Sequence, residues 1–160
     1  MNTIGSRSSG WRILILGAAL TLTGCATAGA QQERDVAAKN KEMVISFYNM
    51  IFQEHKVREA LERYVGDRYI QHNPLAPNGT EALINFFEPY FAKNPQARSE
   101  IKRAAAEGDL VFLHVHARSG PTERGLAVVD IFRVENGKVV EHWDVVQPIP
   151  EKSANENTMF

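Results

Sequence analysis

Between Arg98 and Gln147 the chain reads as four strand-length stretches, roughly Arg98 to Ala105, Leu110 to Arg118, Gly125 to Val134 and Lys138 to Gln147. They are broken at Gly108-Asp109, Ser119-Gly120-Pro121 and Asn136-Gly137, short turn signals that join antiparallel neighbours. This half is therefore a meander. The first half is different: from Asp35 to about Phe52, Val36, Met43, Val44, Phe47, Tyr48 and Ile51 recur at three- and four-residue steps, the spacing of one buried helical face. A second helix is expected from Val57 to about Tyr64, stopping near Gly66, and a third starts at Thr80 as its cap. Leu83, Phe86, Phe87, Tyr90 and Phe91 form the third helix's apolar side, with Pro89 kinking or shortening it. Between them, "YIQHNPLAPNG" from Tyr69 to Gly79 is too rich in proline, asparagine and glycine for long regular structure and reads as a loop. Helices first and a meander afterwards give an α+β fold with segregated layers.

The amino-terminal end has another purpose. Arg7 and Arg12 precede an apolar stretch from Ile13 through Leu22 that is too short to span a bilayer, which is the pattern of a secretory signal. Leu22-Thr23-Gly24-Cys25 resembles a bacterial lipobox. That resemblance implies a signal peptide over 1–24, cleavage before Cys25 and lipidation of its thiol. Each buried methylene of the acyl chains would contribute roughly 0.8 kcal/mol, so two or more chains give a stable anchor. Ala26, where an inner-membrane retention signal has Asp, favours the periplasmic face of the outer membrane. Residues 25–34 are expected as a polar tether, 35–150 as one domain, and 151–160 as an extended polar tail pinned at Phe160. Cys25 is the sole cysteine, so packing and not disulfides must stabilise the domain. The net charge of −1 and pI near 6.5 supply no basic field for phosphates, and nucleic acid is not an expected partner.

Asp130 is the residue most suited to chemistry. It sits in an apolar strand between Val129 and Ile131, and period two aligns it with Val128, Phe132 and Val134. A carboxylate there is costly unless paired or protonated, so it is either a pocket acid or base or a strand carboxylate satisfied by Arg118 or Arg133. Its neighbour depends on the hairpin: a two-residue Asn136-Gly137 turn pairs Asp130 with Trp143, a three-residue Glu135-Asn136-Gly137 loop pairs it with His142. In "EHWD", His142 and Asp144 share a face opposite Glu141 and Trp143. His114 and His116 share a face with Leu110, Phe112 and Arg118, while Val111, Leu113 and Val115 line the other. If the helices cover only one side of the sheet, the Val111, Leu113 and Val115 face needs either a second subunit or surrounding loops, and of the two a homodimer through the sheet is expected. His114, His116, His142 and Asp144 are ligand types suited to zinc or iron, but no CxxC or HExxH pattern accompanies them and no metal is expected. His55 reads as a solvated residue at a helix end, and Trp143 either as a wall aromatic or as a stacking surface for a ligand.

"YIQHN", the Asp130-Ile-Phe-Arg run, the Asn-Gly-Lys hairpin and "EHWD" together resemble the SnoaL-like polyketide cyclase branch of the NTF2-like superfamily. The resemblance implies a cone of curved antiparallel sheet wrapped by helices around one pocket, without metal or organic cofactor. It implies acid/base chemistry beside a carbonyl, by aldol cyclisation, isomerisation or dehydration, with Asp130 as the acid and base. His72 and His116 are its expected catalytic neighbours. Tyr69, Asn73, Phe112, Phe132, His142, Trp143 and Asp144 are the expected contacts for an apolar or carbonyl-containing ligand. His72 has an alternative role in satisfying loop backbone groups, and His142 in facing a partner subunit. The competing function is a lipid-anchored module that binds an apolar molecule or an envelope partner without chemistry.

Overall fold

A computed structural model describes residues 21–160, with side chains from residue 28. The expected signal segment before residue 21 and the thiol of Cys25 lie outside the described residues. Helix α1 runs Thr21–Phe52, α2 Val57–Tyr64 and α3 Thr80–Lys93. The strands are β1 Val65–Gln71, β2 Arg98–Glu107, β3 Leu110–Arg118, β4 Leu126–Glu135 and β5 Lys138–Pro148. They form one five-stranded sheet in the order β1-β5-β4-β3-β2, antiparallel except where β1 runs parallel to β5. No helix among the described residues is long and apolar enough to cross a membrane.

Several expectations change. The tether at 25–34 is helical and continuous with α1, and residues 28–36 of that helix are exposed on every side. Val36, placed on the buried face, is 47% exposed, and burial begins at Ala37. The loop reading of Tyr69–Gly79 is half right: the chain is a strand through Gln71 and irregular after it. Gly79, with φ of +92°, holds the cap position of α3 in place of Thr80, and the helix continues through Pro89 to Lys93. His55 is not simply solvated, since its ring stacks on Phe91 at 4.0 Å and its Nε2 meets the Ala97 carbonyl at 2.9 Å.

The core forms where α1 lies on the sheet. Val44, Phe47, Tyr48 and Ile51 of α1 pack with Val111, Leu113 and Val115 of β3 and with Phe132 of β4. The three β3 residues are completely buried, so they face the helices, and the premise that this face is open to a second subunit is reversed. The outer face carries Phe112, His114 and His116, with Val129 and Val145 at 38% and 67% exposure. The tail is pinned there: the Phe160 ring stacks on His116 at 4.5 Å.

One irregularity sets the site. Asn136 and Gly137 both have positive φ and make a two-residue turn, with Glu135 opposite Lys138. Val134 pairs with Val139 but Arg133 pairs with Glu141, so Val140 is an extra residue in β5, a bulge. The remaining pairs are Phe132 with His142 and Asp130 with Asp144. Neither expected partner, Trp143 nor His142, stands opposite Asp130. Val140 itself is buried, its Cγ1 3.2 Å from where a Cβ on Gly66 of β1 would sit.

Candidate active site

Asp130 projects from the middle of β4 into the interior and is 6% exposed. Burying a carboxylate is tolerable only with donors supplied, and two are. The Tyr48 hydroxyl, from α1, donates to Oδ2 at 2.9 Å, and His142 Nε2, from β5, meets Oδ1 at 3.0 Å. His142 is itself 8% exposed, packed on Phe132 at 4.8 Å and stacked beside Tyr69 at 6.3 Å. Its second nitrogen, Nδ1, meets Gln71 Oε1 at 2.9 Å. Burial, and then the Asp130 charge, push the Tyr48 phenol well above its ordinary pKa. Tyr69 shifts upward for the same two reasons, burial first. Both phenols therefore keep their protons, and Tyr48 is a permanent donor beside the carboxylate.

The segment after β1 completes the site through short-range bonds. Asn73 accepts from the Leu75 backbone N–H at 2.8 Å, which orients its amide, and its Nδ2 donates to both oxygens of Asp144 at 3.0 and 2.7 Å. Asn78 accepts from the Gln71 N–H at 2.8 Å, and the Gly79 N–H returns to the Tyr69 carbonyl at 2.9 Å. Asn73 of this segment is thus aimed at β5, while Asn78 holds the segment to the end of β1.

Asp130 and Asp144 line a cavity of about 490 Å³, within the size range of small-molecule sites. Its helical wall is aromatic, built by Phe52 of α1 and by Phe86, Phe87, Tyr90 and Phe91 of α3. The sheet contributes Val128 and Val146; Tyr48, Ser99, Asp130 and Asp144 are polar groups of the lining, and Arg98, Arg118, Ser119 and Glu123 add further polar and charged ones. The aromatic wall offers an apolar surface to a ligand, and the other lining groups offer several polar and charged contacts.

The structure gathers Asp130, His142, Tyr69, Phe132, Asp144 and Asn73, and separates the rest. Trp143 lies on the outer face, where the His72 ring stacks on it at 4.6 Å and the Arg133 guanidinium lies 5.5 Å from its ring centre. His72 Nε2 meets Glu141 Oε1 at 2.7 Å, and Arg133 Nε donates to Glu141 Oε2 at 2.7 Å. Arg133, and secondarily His72, hold the Glu141 carboxyl below the usual range. Phe112 and His116 are also on the outer face, where His116 Nε2 meets the Arg124 carbonyl at 2.7 Å. The expected placement of His72 and His116 beside Asp130 is corrected: the bulge turns Trp143 outward with His72 stacked on it, and the inward parity of Leu113 puts His116 on the opposite side. The residues that sequence reasoning passed over are Tyr48, read only as core, and Gln71. The signal for Tyr48 was available, because a buried phenol requires a hydrogen-bond partner.

Ligand-type atoms of Asp130, His142 and Asp144 lie within 4.8 Å of one another. That donor set is one a divalent cation accepts. Here Asp130 and His142 are bonded to each other and Asp130 also to Tyr48, while Asp144 is bonded separately to Asn73.

Among solved structures, a proposed polyketide cyclase from Bacillus cereus superposes with a TM-score of 0.57 at 21% identity, covering 68% of this chain and 74% of that one. An NTF2-like protein of unknown function from Mesorhizobium loti gives 0.55 at 22% identity, covering 69% and 93%. A SnoaL-like protein of unknown function from Burkholderia thailandensis gives 0.55 at 14% identity, covering 69% and 95%. These likenesses establish the fold. No curated protein matches the chain. The sequence from residue 44 to 142, which holds Tyr48, Gln71, Asp130 and His142 together, matches the SnoaL-like domain, and the chain belongs to that family of small-molecule pocket proteins with the NTF2-like fold.

Proposed function

We propose that the protein is a cofactor-free acid/base catalyst acting beside a carbonyl group of an apolar small molecule, with Asp130 as the acid and base. The observation that carries this reading is a buried carboxylate at an aromatic-lined cavity, held by a phenol and an imidazole. Asp130 takes a proton from the carbon next to the carbonyl, and the electron pair moves onto the carbonyl oxygen. Tyr48, which keeps its proton, turns its O–H from Asp130 to that oxyanion. Tyr48 thereby takes the place beside Asp130 that was expected of His72 and His116. Asp130 then returns the proton to a second carbon in an isomerisation, to the alkoxide in an aldol closure, or to a departing hydroxide in a dehydration. The presence of proposed polyketide cyclases among the structural neighbours supports carbonyl substrates.

The test is proton–deuterium exchange at carbons adjacent to carbonyls, followed by NMR, with the full chain and a panel of small ketones and aldehydes. Acceleration by the wild type and none by Asp130→Asn is the expected result. No acceleration by the wild type across the panel sinks the catalytic reading. In that event the rival stands, a non-catalytic binding module, which is favoured by one feature: no buried side-chain polar atom among the described residues lacks a partner, so the network is complete without a ligand.

We further infer lipid anchoring through Cys25 at the periplasmic face of the outer membrane, supported by the lipobox-like sequence and by the exposed helix of residues 28–36. Membrane fractionation of wild type against Cys25→Ser checks it, and a wild type that fractionates as soluble would count against it. A homodimer through the sheet is proposed for the outer face, where Val129 and Val145 are exposed. Sedimentation equilibrium of wild type and Val145→Lys is the measurement, and a monomeric wild type rejects it.

A further inference from the structure

The amide of Gln71 has only one possible orientation. One of its terminal atoms receives the backbone N–H of Asn73 at 3.0 Å and also meets His142 Nδ1 at 2.9 Å. A backbone N–H can only donate, so that atom is the carbonyl oxygen, and the Nδ1 facing it must carry a hydrogen. The other ring nitrogen, Nε2, faces Asp130 Oδ1 at 3.0 Å. If the ring is neutral with its proton on Nδ1, Nε2 is a bare acceptor, and two bare acceptors do not hold each other at that distance. A proton therefore lies between Nε2 and Oδ1, as an imidazolium facing a carboxylate or an imidazole facing a carboxylic acid. Tyr48 does not supply it, because its O–H is directed at Oδ2.

We propose that Gln71 is a positioning residue that locks His142 as its Nδ1–H form and so keeps one proton stored in the Asp130–His142 pair. The consequence for turnover rests on the acid/base reading given above; the locked form of the ring rests on the hydrogen bonds alone. With Tyr48 swung to the substrate oxygen, Oδ2 is free to take the carbon proton while the stored proton stays on the Nε2 side. The pair then holds two protons and returns one. A proton-loaded dyad suits reactions that end by giving a proton to oxygen, the aldol closure and the dehydration, since the donor is in place when the alkoxide or hydroxide forms. The ionisable groups around the pair are Tyr48 from α1, Tyr69 from β1 and Asp144 from β5. The two phenols are held protonated by burial and by the Asp130 charge, and Asp144 is covered by Asn73. None of these competes for Nδ1.

The deciding experiment is long-range proton–nitrogen NMR of the histidine rings in the full chain at neutral pH, with His142 assigned by comparison with His142→Asn. Expected is a protonated Nδ1 on His142. A bare Nδ1 with the proton on Nε2 overturns the proposal, whatever the catalytic result. Gln71→Leu removes the acceptor and disfavours the imidazolium, so the limb of the exchange-rate profile set by the pair should move to lower pH by about half a unit or more. Gln71→Glu restores an acceptor and should move the limb back or beyond. An unchanged ring form and an unchanged pH profile in Gln71→Leu also overturn it. If the wild type shows no exchange activity, the ring NMR alone decides, and the failure belongs to the catalytic reading.

Discussion

Asp130 and Asp144 stand directly opposite each other on β4 and β5, yet their carboxylates are served by separate donors, Tyr48 and His142 for the first and Asn73 for the second. Like charges facing across a ladder oppose its formation. The arrangement holds because each carboxylate has bonds drawn from elements far away in the chain, and those bonds are where the site is most sensitive to substitution.

Tyr48→Phe removes one of the two donors to a buried carboxylate and leaves the ring packing intact. A hydrogen bond to a charged group contributes about 1.5–3 kcal/mol, so urea unfolding should show a loss of that size. In the exchange assay the same variant should be slower by roughly 100-fold, the usual cost of removing an oxyanion donor. A variant as stable and as active as the wild type would show that the phenol is a bystander.

The histidines separate by position. His72→Ala and His116→Ala change side chains on the outer face and should leave exchange rates within about twofold, the range of a substitution with no bond to the reacting groups. His142→Ala strips Oδ1 of Asp130 of its partner and should abolish exchange. Equal effects from all three would contradict the register of β4 and β5.

Gly125 and Gly137 have similar positive φ, +81° and +72°, but different surroundings. A Cβ on Gly137 meets nothing within 4 Å, so Gly137→Ala should cost only the left-handed strain, about 1 kcal/mol. A Cβ on Gly125 would sit 2.1 Å from the Ala117 carbonyl oxygen, and Gly125→Ala should cost more than about 3 kcal/mol as the turn between β3 and β4 is forced open. Paired denaturation curves compare the two.

Glu141 has its folded-state pKa lowered, first by the bond from Arg133 and then by that from His72. A depressed carboxyl stabilises the fold above its unfolded pKa and loses that contribution as pH falls through the folded value. Glu141→Gln should therefore be less stable than wild type at neutral pH, and the gap should close below about pH 4, under the ordinary glutamate range. Melting temperatures of the two proteins from pH 7 down to pH 3 test the sign; a gap that widens on acidification rejects the assignment.

The antiparallel half of the fold was legible because its alternation and turns are local: β3 has the expected ends, and β2, β4 and β5 differ by one or two residues at an end. Asp130 could be singled out for a similar reason, as a charge out of place in a period-two apolar pattern. β1 was not legible, since Gly66, Asp67 and Arg68 weaken its pattern and its partner is distant, Val65 pairing with Val139. Which face of β3 meets the helices was also hidden, because Phe112 and Leu110 make one face nearly as apolar as Val111, Leu113 and Val115 make the other. The neighbours of Asp130 were unreadable because Val140 carries no sequence mark of a bulge; valine is an ordinary strand residue.

That extra valine works like a frameshift in the sheet. An unbroken ladder from the same Asn136-Gly137 turn would have paired Phe132 with Glu141 and Asp130 with Trp143, turning an acid and an indole inward in place of His142 and Asp144. The chemical content of the cavity is thus written partly as a length, the count of residues between the turn and His142, and not only as residue identities. One inserted or deleted residue in this hairpin can exchange the groups that β5 turns toward the interior while every strand stays in place. A pocket encoded this way can change its chemistry in one step, and alignments that slide a gap past Val140 will assign the wrong side chains to it.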